Sequence, residues 1–136
     1  MTIRSSGFSL IELLVVVAIL GVLSAIGVSS YSGYIKSSEK KAAENIMQQV
    51  SLGQTEYYSA NGSYYSATGS NCTATSTTST AIETNLLGGA DVLSSDLAYE
   101  MCIHLDSSNY KIKAKSKTGT CEITMTAHGT FTRTNC

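Results

Sequence analysis

Between Phe8 and Val28 nearly every residue is apolar, and one carboxylate, Glu12, sits inside the first turns of the run. At ~1.5 Å per residue a helix over this stretch extends about 31 Å, enough to cross a bilayer core of ~30 Å. An ordinary secretory signal places a small-residue cleavage site after its apolar run, and Gly27, Ser29 and Ser30 fit that position. Two features argue the other way: Ser6-Gly7 precedes the apolar block, and Glu12 lies within it. A carboxylate near hydrocarbon costs a few kcal/mol, so Glu12 needs a partner or a task. Either it lies at interface depth and reaches water, or it pairs with the N-terminal amine of a neighbouring subunit. The second reading requires a new amine nearby, which cleavage between Gly7 and Phe8 supplies.

The segment Gly7-Phe8-Ser9-Leu10-Ile11-Glu12-Leu13 resembles the class III signal of type IV pilins and type II secretion pseudopilins. The resemblance continues through Val15–Leu23 to Tyr31-Ser32-Gly33-Tyr34-Ile35. It implies that a prepilin peptidase cuts after Gly7, that the new amine of Phe8 is methylated, and that Glu12 serves subunit docking against Phe8. Ser9 stands where Thr is commonest in the family. Ser29 stands where many members carry a helix-kinking Pro, and this chain has no Pro. Any bend is therefore expected from Gly21, Gly27 and Gly33 and from the hydroxyls of Ser24, Ser29 and Ser30.

The helical pattern continues past the apolar block. Ile35, Ala42, Ile46, Val50, Gly53 and Tyr57 form a stripe at helical spacing, opposite Lys36, Lys40, Lys41, Glu44, Gln48 and Gln49. One helix from Phe8 to about Ala60 is expected, apolar all round at first and amphipathic later, with Asn61-Gly62 ending it. Ser63–Thr80, with the run Thr75-Ser-Thr-Thr-Ser-Thr, reads as a surface loop. Asn61-Gly-Ser and Asn71-Cys-Thr match the glycosylation acceptor pattern, itself a short and unspecific signal. Leu97–Leu105, Tyr110–Lys117 and Cys121–Ala127 read as three strands with short connections, an antiparallel meander. The expected fold is α+β: a long N-terminal helix whose amphipathic half packs on a small antiparallel sheet. The expected division is a leader over 1–7, a transmembrane or filament-core helix over 8–34, and a globular head over 35–136.

Four cysteines, Cys72, Cys102, Cys121 and Cys136, all fall in the expected head. An even count in a small exported domain favours disulfides, and four cysteines allow three connectivities. The stretch Cys121–Gly129 closing at Cys136 resembles the last hairpin of many small pilins. That likeness implies Cys121–Cys136, and with it Cys72–Cys102. A metal site from Cys102, His104, Cys121 and His128 is the competing reading, but it lacks a Cys-x-x-Cys knuckle.

Lys111, Lys113, Lys115 and Lys117 alternate strictly and so share one face of a strand. The ordinary reading is the wet face of a sheet, where lysines discourage edge-to-edge pairing. The sharper one is a strip for an anionic ligand such as DNA phosphates, a contact that would be salt-sensitive and blind to sequence. With a net charge of −1, bulk electrostatics give no reason to expect a nucleic-acid binder, so that reading rests on analogy with some pilins of competent bacteria. Asp91, Asp96 and Glu100 are the only acids to compare with the calcium site of the type II secretion major pseudopilin, and they are scattered. No Gly-rich phosphate loop or nucleophile–base spacing suggests an enzyme, and no cofactor or metal is expected.

The resemblance implies a structural subunit of a type IV pilus. Such a chain waits as a single-pass inner-membrane protein and is then assembled by inner-membrane machinery into a helical homo-oligomer on the cell surface. The fibre would serve adhesion, twitching motility or DNA uptake. A pseudopilin, and a minor pilin acting as adhesin or DNA receptor, are the alternatives.

Overall fold

The computed structural model describes residues 6–136. Met1–Ser5 of the expected leader, with Arg4, lie outside the described residues. The elements in order are α1 (Leu10–Asn61), α2 (Ser76–Leu86), β1 (Tyr99–Asp106), β2 (Asn109–Ser116), β3 (Glu122–Thr126) and β4 (Phe131–Thr134). The chain separates into two units, one ending at Ser37 and one spanning Ser38–Cys136, and α1 contributes to both.

In the first unit α1 runs without interruption through Gly21, Gly27 and Gly33. The helix spends its hydroxyls internally: Ser24 Oγ donates to the Leu20 carbonyl at 2.7 Å and Ser32 Oγ to Ser29 at 3.1 Å. Such bonds satisfy a hydroxyl in apolar surroundings without breaking the backbone ladder.

In the second unit α1 buries Ala43, Met47, Val50 and Gln54, spaced by four, three and four along one face, with Glu44 and Gly53 buried beside them. The expected stripe was one position out at its start, since Ala42 is exposed and Ala43 is fully buried. Gly53 is there because the end of α2 passes too close for a side chain. A Cβ at that position would lie 2.6 Å from the Leu86 carbonyl oxygen. The helix ends at the Asn61-Gly62 pair, with Gly62 at φ 75° donating its N–H to the Tyr58 carbonyl at 2.8 Å.

The sheet is an antiparallel meander in the order β1-β2-β3-β4. Its inner rows are Met101, Ala114 and Ile123, then Ile103, Ile112, Met125 and Phe131. These rows pack with Met47 and Val50 of α1 and Ile82 and Leu86 of α2 into one core. The fold is thus α+β, with the amphipathic half of α1 and α2 covering a small antiparallel sheet. β4, not among the three expected strands, follows the Gly129 turn and completes the sheet.

The Ser/Thr-rich segment departs from the loop expectation. Thr75 caps α2, and Thr78 takes the reciprocal place that Glu or Gln usually fills: Thr75 N donates to Thr78 Oγ1 at 2.9 Å, and Thr78 N to Thr75 Oγ1 at 3.3 Å. The hydroxyls also close the free edge of β1. Met101 N donates to Ser79 Oγ at 2.9 Å and Thr78 Oγ1 donates to the Met101 carbonyl at 2.8 Å. Further along, Ala67 N donates to the Ile103 carbonyl and Leu105 N to the Gly69 carbonyl. An edge strand left open invites pairing with another chain, and here polar groups from a hydroxyl-rich segment occupy it.

Candidate functional site

Gly7 and Phe8 lie in the short non-helical stretch before α1, and Phe8 is 86 % exposed. The helix begins at Leu10 because Ser9 caps it. Glu12 N donates to Ser9 Oγ at 3.3 Å, and Ser9 N donates to Glu12 Oε2 at 2.9 Å. This is a reciprocal Ser-x-x-Glu cap, which satisfies two orphan amides of the first turn at once. A negative charge there also complements the positive end of the helix dipole.

Beyond the cap, the large apolar side chains of this unit all point outward, from Leu10 at 87 % exposure to Ile35 at 38 %. A soluble monomer rarely exposes a contiguous apolar surface of this size, so such a surface marks contact with lipid or with other protein. By length and composition α1 is able to cross a membrane. The region combines a non-helical entry dipeptide, a capped carboxylate in the first turn and an apolar surface on every side. None of these groups is a nucleophile–base pair or a metal shell. What the arrangement can do is insert and associate.

The other singled-out residues sit in the second unit. The structure holds disulfides Cys72–Cys102 and Cys121–Cys136, which leaves none of the four thiols for a metal. His104 is buried with Nδ1 3.7 Å from Cys72 Sγ, and His128 is exposed in the turn before β4. Burial lowers the pKa of His104, and the nearby Lys113 and Lys111 add to this against the pull of Asp106.

Lys111, Lys113 and Lys115 share the outer face of β2 with Lys117 just past its end, and three of the four ammonium groups make polar contacts. Lys111 pairs with Asp106 at 2.9 Å. Lys113 lies 3.8 Å from Glu122 and donates to Asn71 Oδ1 at 3.1 Å. Lys115 is in register with Glu100 on one side and Glu122 on the other. Lys117 Nζ donates to the carbonyls of Leu93 and Ser94. The strip is a ladder of alternating charge, since strand pairing brings carboxylates beside the lysines. The same Lys117 ammonium lies over the loop that carries Asp91, and Asp91 accepts from Ser94 Oγ at 2.6 Å. The three scattered acids do not converge: among the described residues no cluster of ligand-type side chains forms.

Two groupings escaped the reading of the sequence. Glu44, expected on the wet face, is buried and bound by Arg133 of β4, whose Nε donates to Glu44 Oε1 at 2.6 Å. Glu83 is also buried, and its carboxylate accepts from the amides of Leu93 and Ser94 and from Ser94 Oγ. Burial pushes the Glu83 carboxyl up, but these hydrogen bonds outweigh it and hold the group below the usual carboxylate range. Arg133 lies 89 residues from Glu44, and the Glu83 contacts reach ten and eleven residues ahead, so neither left a signal at helical or strand spacing. The Ser9–Glu12 cap did have one, the Ser-x-x-Glu spacing.

Residues 3–28 match the family model described as the prokaryotic N-terminal methylation motif. The chain is 41 % identical over 56 residues to the fimbrial protein EcpC of Eikenella corrodens, covering 41 % of this chain and 37 % of that protein. It is 34 % identical over 62 residues to the type IV major pilin protein PilE of Neisseria gonorrhoeae, covering 46 % of this chain and 37 % of that one. A fimbrial protein of Neisseria meningitidis serogroup B matches the chain to the same degree, 34 % over 62 residues. The chain is thus similar to type IV pilins, and these alignments span little more than a third of the relatives' length. No solved structure matches the chain significantly. The matched methylation motif covers the non-helical entry, the cap, Glu12 and most of the outward apolar run.

Proposed function

We propose that this chain is a building subunit of a type IV pilus, made as a precursor and joined to identical copies through its N-terminal helix. Residues 1–7 are the leader, removed by a prepilin peptidase between Gly7 and Phe8, after which Phe8 is methylated on its new amine. Residues 8–34 first span the inner membrane and then lie in the fibre core, while 35–136 form the outer surface of an extracellular filament. Inner-membrane assembly machinery moves the subunit from one setting to the other. Glu12 neutralises the Phe8 amine of a neighbour as each copy docks. A contact of that kind is heterologous and does not close, so it generates a helical fibre.

The observation that carries this reading is the pairing of a fully outward apolar surface with one carboxylate in its first turn, inside a matched methylation motif. In hydrocarbon or in a bundle of such helices, an isolated carboxylate is costly, and an amine from the next copy removes that cost. The fibre's use in adhesion, twitching motility or DNA uptake is a property of the assembled polymer.

The test is the intact mass and N-terminal residue of protein recovered from sheared cell-surface material. A chain beginning at N-methylated Phe8, and four hydrogens light for two disulfides, is the expected result. A processed chain found only with the cell envelope would instead place it in a periplasmic pseudopilus. A chain retaining Met1 would remove the filament reading altogether.

A further inference from the structure

The two disulfides sit in different chemical surroundings. Cys136 Sγ faces carbonyl oxygens, that of Thr134 at 3.3 Å and that of Glu122 at 3.8 Å, which disfavour a negative charge on the sulfur. Cys72 Sγ instead lies 3.7 Å from Nδ1 of the buried His104. Cations gather on the same outer face of the sheet: strand register sets Lys113 beside Cys102 and Lys111 beside His104. Lys113 Nζ also reaches Asn71 Oδ1, the acceptor for the Cys72 amide. The carboxylates on this face are Asp106, paired with Lys111, and Glu122, 3.8 Å from Lys113. An imidazole and ammonium groups beside a sulfur favour its thiolate, the form that exchanges disulfides.

We infer that Cys72–Cys102 is a thiol–disulfide exchange site for small thiols, with Cys72 as the reacting sulfur and His104 as its base. Cys72 keeps 8 % exposure and Cys102 none, so an incoming thiolate meets Cys72 Sγ. A new S–S bond forms there, the Cys72–Cys102 bond breaks, and its electron pair leaves on Cys102, where Lys113 stands opposite. Cys102 then takes a proton from water. His104 accepts the proton of a second small thiol, whose sulfur attacks the first and releases Cys72 as a thiolate paired with the imidazolium. The protein disulfide thus gains two electrons, and two small thiols become one disulfide. The reverse sequence closes the crosslink again. Opening it frees the covalent tie between β1 and the segment that covers its edge through Ala67 and Gly69.

The experiment uses the full chain in detergent and stands apart from the assembly reading. Incubated with reduced and oxidised glutathione, the parent is expected to carry glutathione on Cys72 and none on Cys102, read by peptide mass. In Cys102→Ser the free thiol is Cys72, since Cys121–Cys136 stays closed. Its ultraviolet thiolate absorption and its rate with oxidised glutathione are expected to rise with a midpoint well below the ordinary thiol value of about 8.5. Adding His104→Gln should raise that midpoint and slow exchange about tenfold near a pH of ~6.5. A mere change of access would alter the rate at every pH and leave the midpoint in place. A Cys72 midpoint at or above about 8.5 in Cys102→Ser overturns the proposal, whatever His104→Gln does to folding. Glutathione on Cys102, or no adduct on Cys72 under conditions that open Cys121–Cys136, overturns it as well. A low midpoint that His104→Gln leaves unmoved overturns the part given to His104.

Discussion

The unit ending at Ser37 and the unit spanning Ser38–Cys136 handle the same problem, a large apolar surface, in opposite ways. In the first, Leu10, Leu20 and Val28 stand 87 %, 57 % and 71 % exposed, and no other part of that unit covers them. In the second, Met47, Ile103 and Ile112 are fully buried between helix and sheet. Glu12 and Glu44 differ in the same sense. Glu44 has its cation within the chain, in Arg133, whereas Glu12 meets only its own cap among the described residues. One unit is complete as a fold. The other presents an apolar surface that nothing in that unit covers, the surface to which the proposed assembly role is given.

Substitutions break this comparison most directly where burial is greatest. Met47→Ala deletes a fully buried side chain and is expected to lower head stability by about 2–5 kcal/mol in denaturant unfolding. Leu20→Ala in the exposed run leaves that transition unchanged. If both shifted the head's midpoint equally, the division of labour would be wrong. Replacing Cys72 and Cys102 together by Ala removes a crosslink across 30 residues, at an expected cost of ~2–4 kcal/mol. Hydrogen exchange at Leu105, whose amide bonds Gly69, should rise in that variant because the covering segment loses its anchor.

Smaller effects come from the charged groups. Glu44→Ala leaves Arg133 without its acceptor and is expected to cost about 1.5–3 kcal/mol, read in the same unfolding assay. The pH dependence is subtler. His104 has a lowered folded pKa, so the unfolded chain takes up its proton first as pH falls. The stability tied to neutral His104 is therefore complete above about 6.5 and is lost as pH drops from there through the lowered folded value. A melting series from neutral to mildly acidic pH should slope downward in the parent and flatten in His104→Gln.

The two units also differed in how far the sequence revealed them. The apolar run is local, so the outward surface of α1 and its end at Asn61-Gly62 follow from neighbouring residues, while its start, expected at Phe8, is at Leu10 because Ser9 caps it. The sheet was legible through alternation in β2 and β3, where inner and outer positions repeat at two, whereas β1 buries Met101 to His104 on both faces. Thr75–Thr80 misled because Ser and Thr have low helix propensity, yet Thr75 and Thr78 cap each other and Ser79 bonds a strand edge. The burial of Glu44 depends on Arg133, far along the chain, and the carboxylates set beside the lysine row depend on strand register. Pairings of that kind form only after folding and leave no mark on a short window of sequence.

The central claim, that Glu12 of one copy meets the Phe8 amine of the next, is open to a direct chemical measurement. Intact sheared filaments are treated with a zero-length carbodiimide, which joins a carboxylate to an amine only where the two touch. The account predicts a ladder of covalent oligomers and, after digestion, a peptide in which Glu12 is linked to Phe8 through an amide bond. Filaments that stay monomeric under denaturing conditions, or whose only linkages join head lysines to head carboxylates, would contradict it.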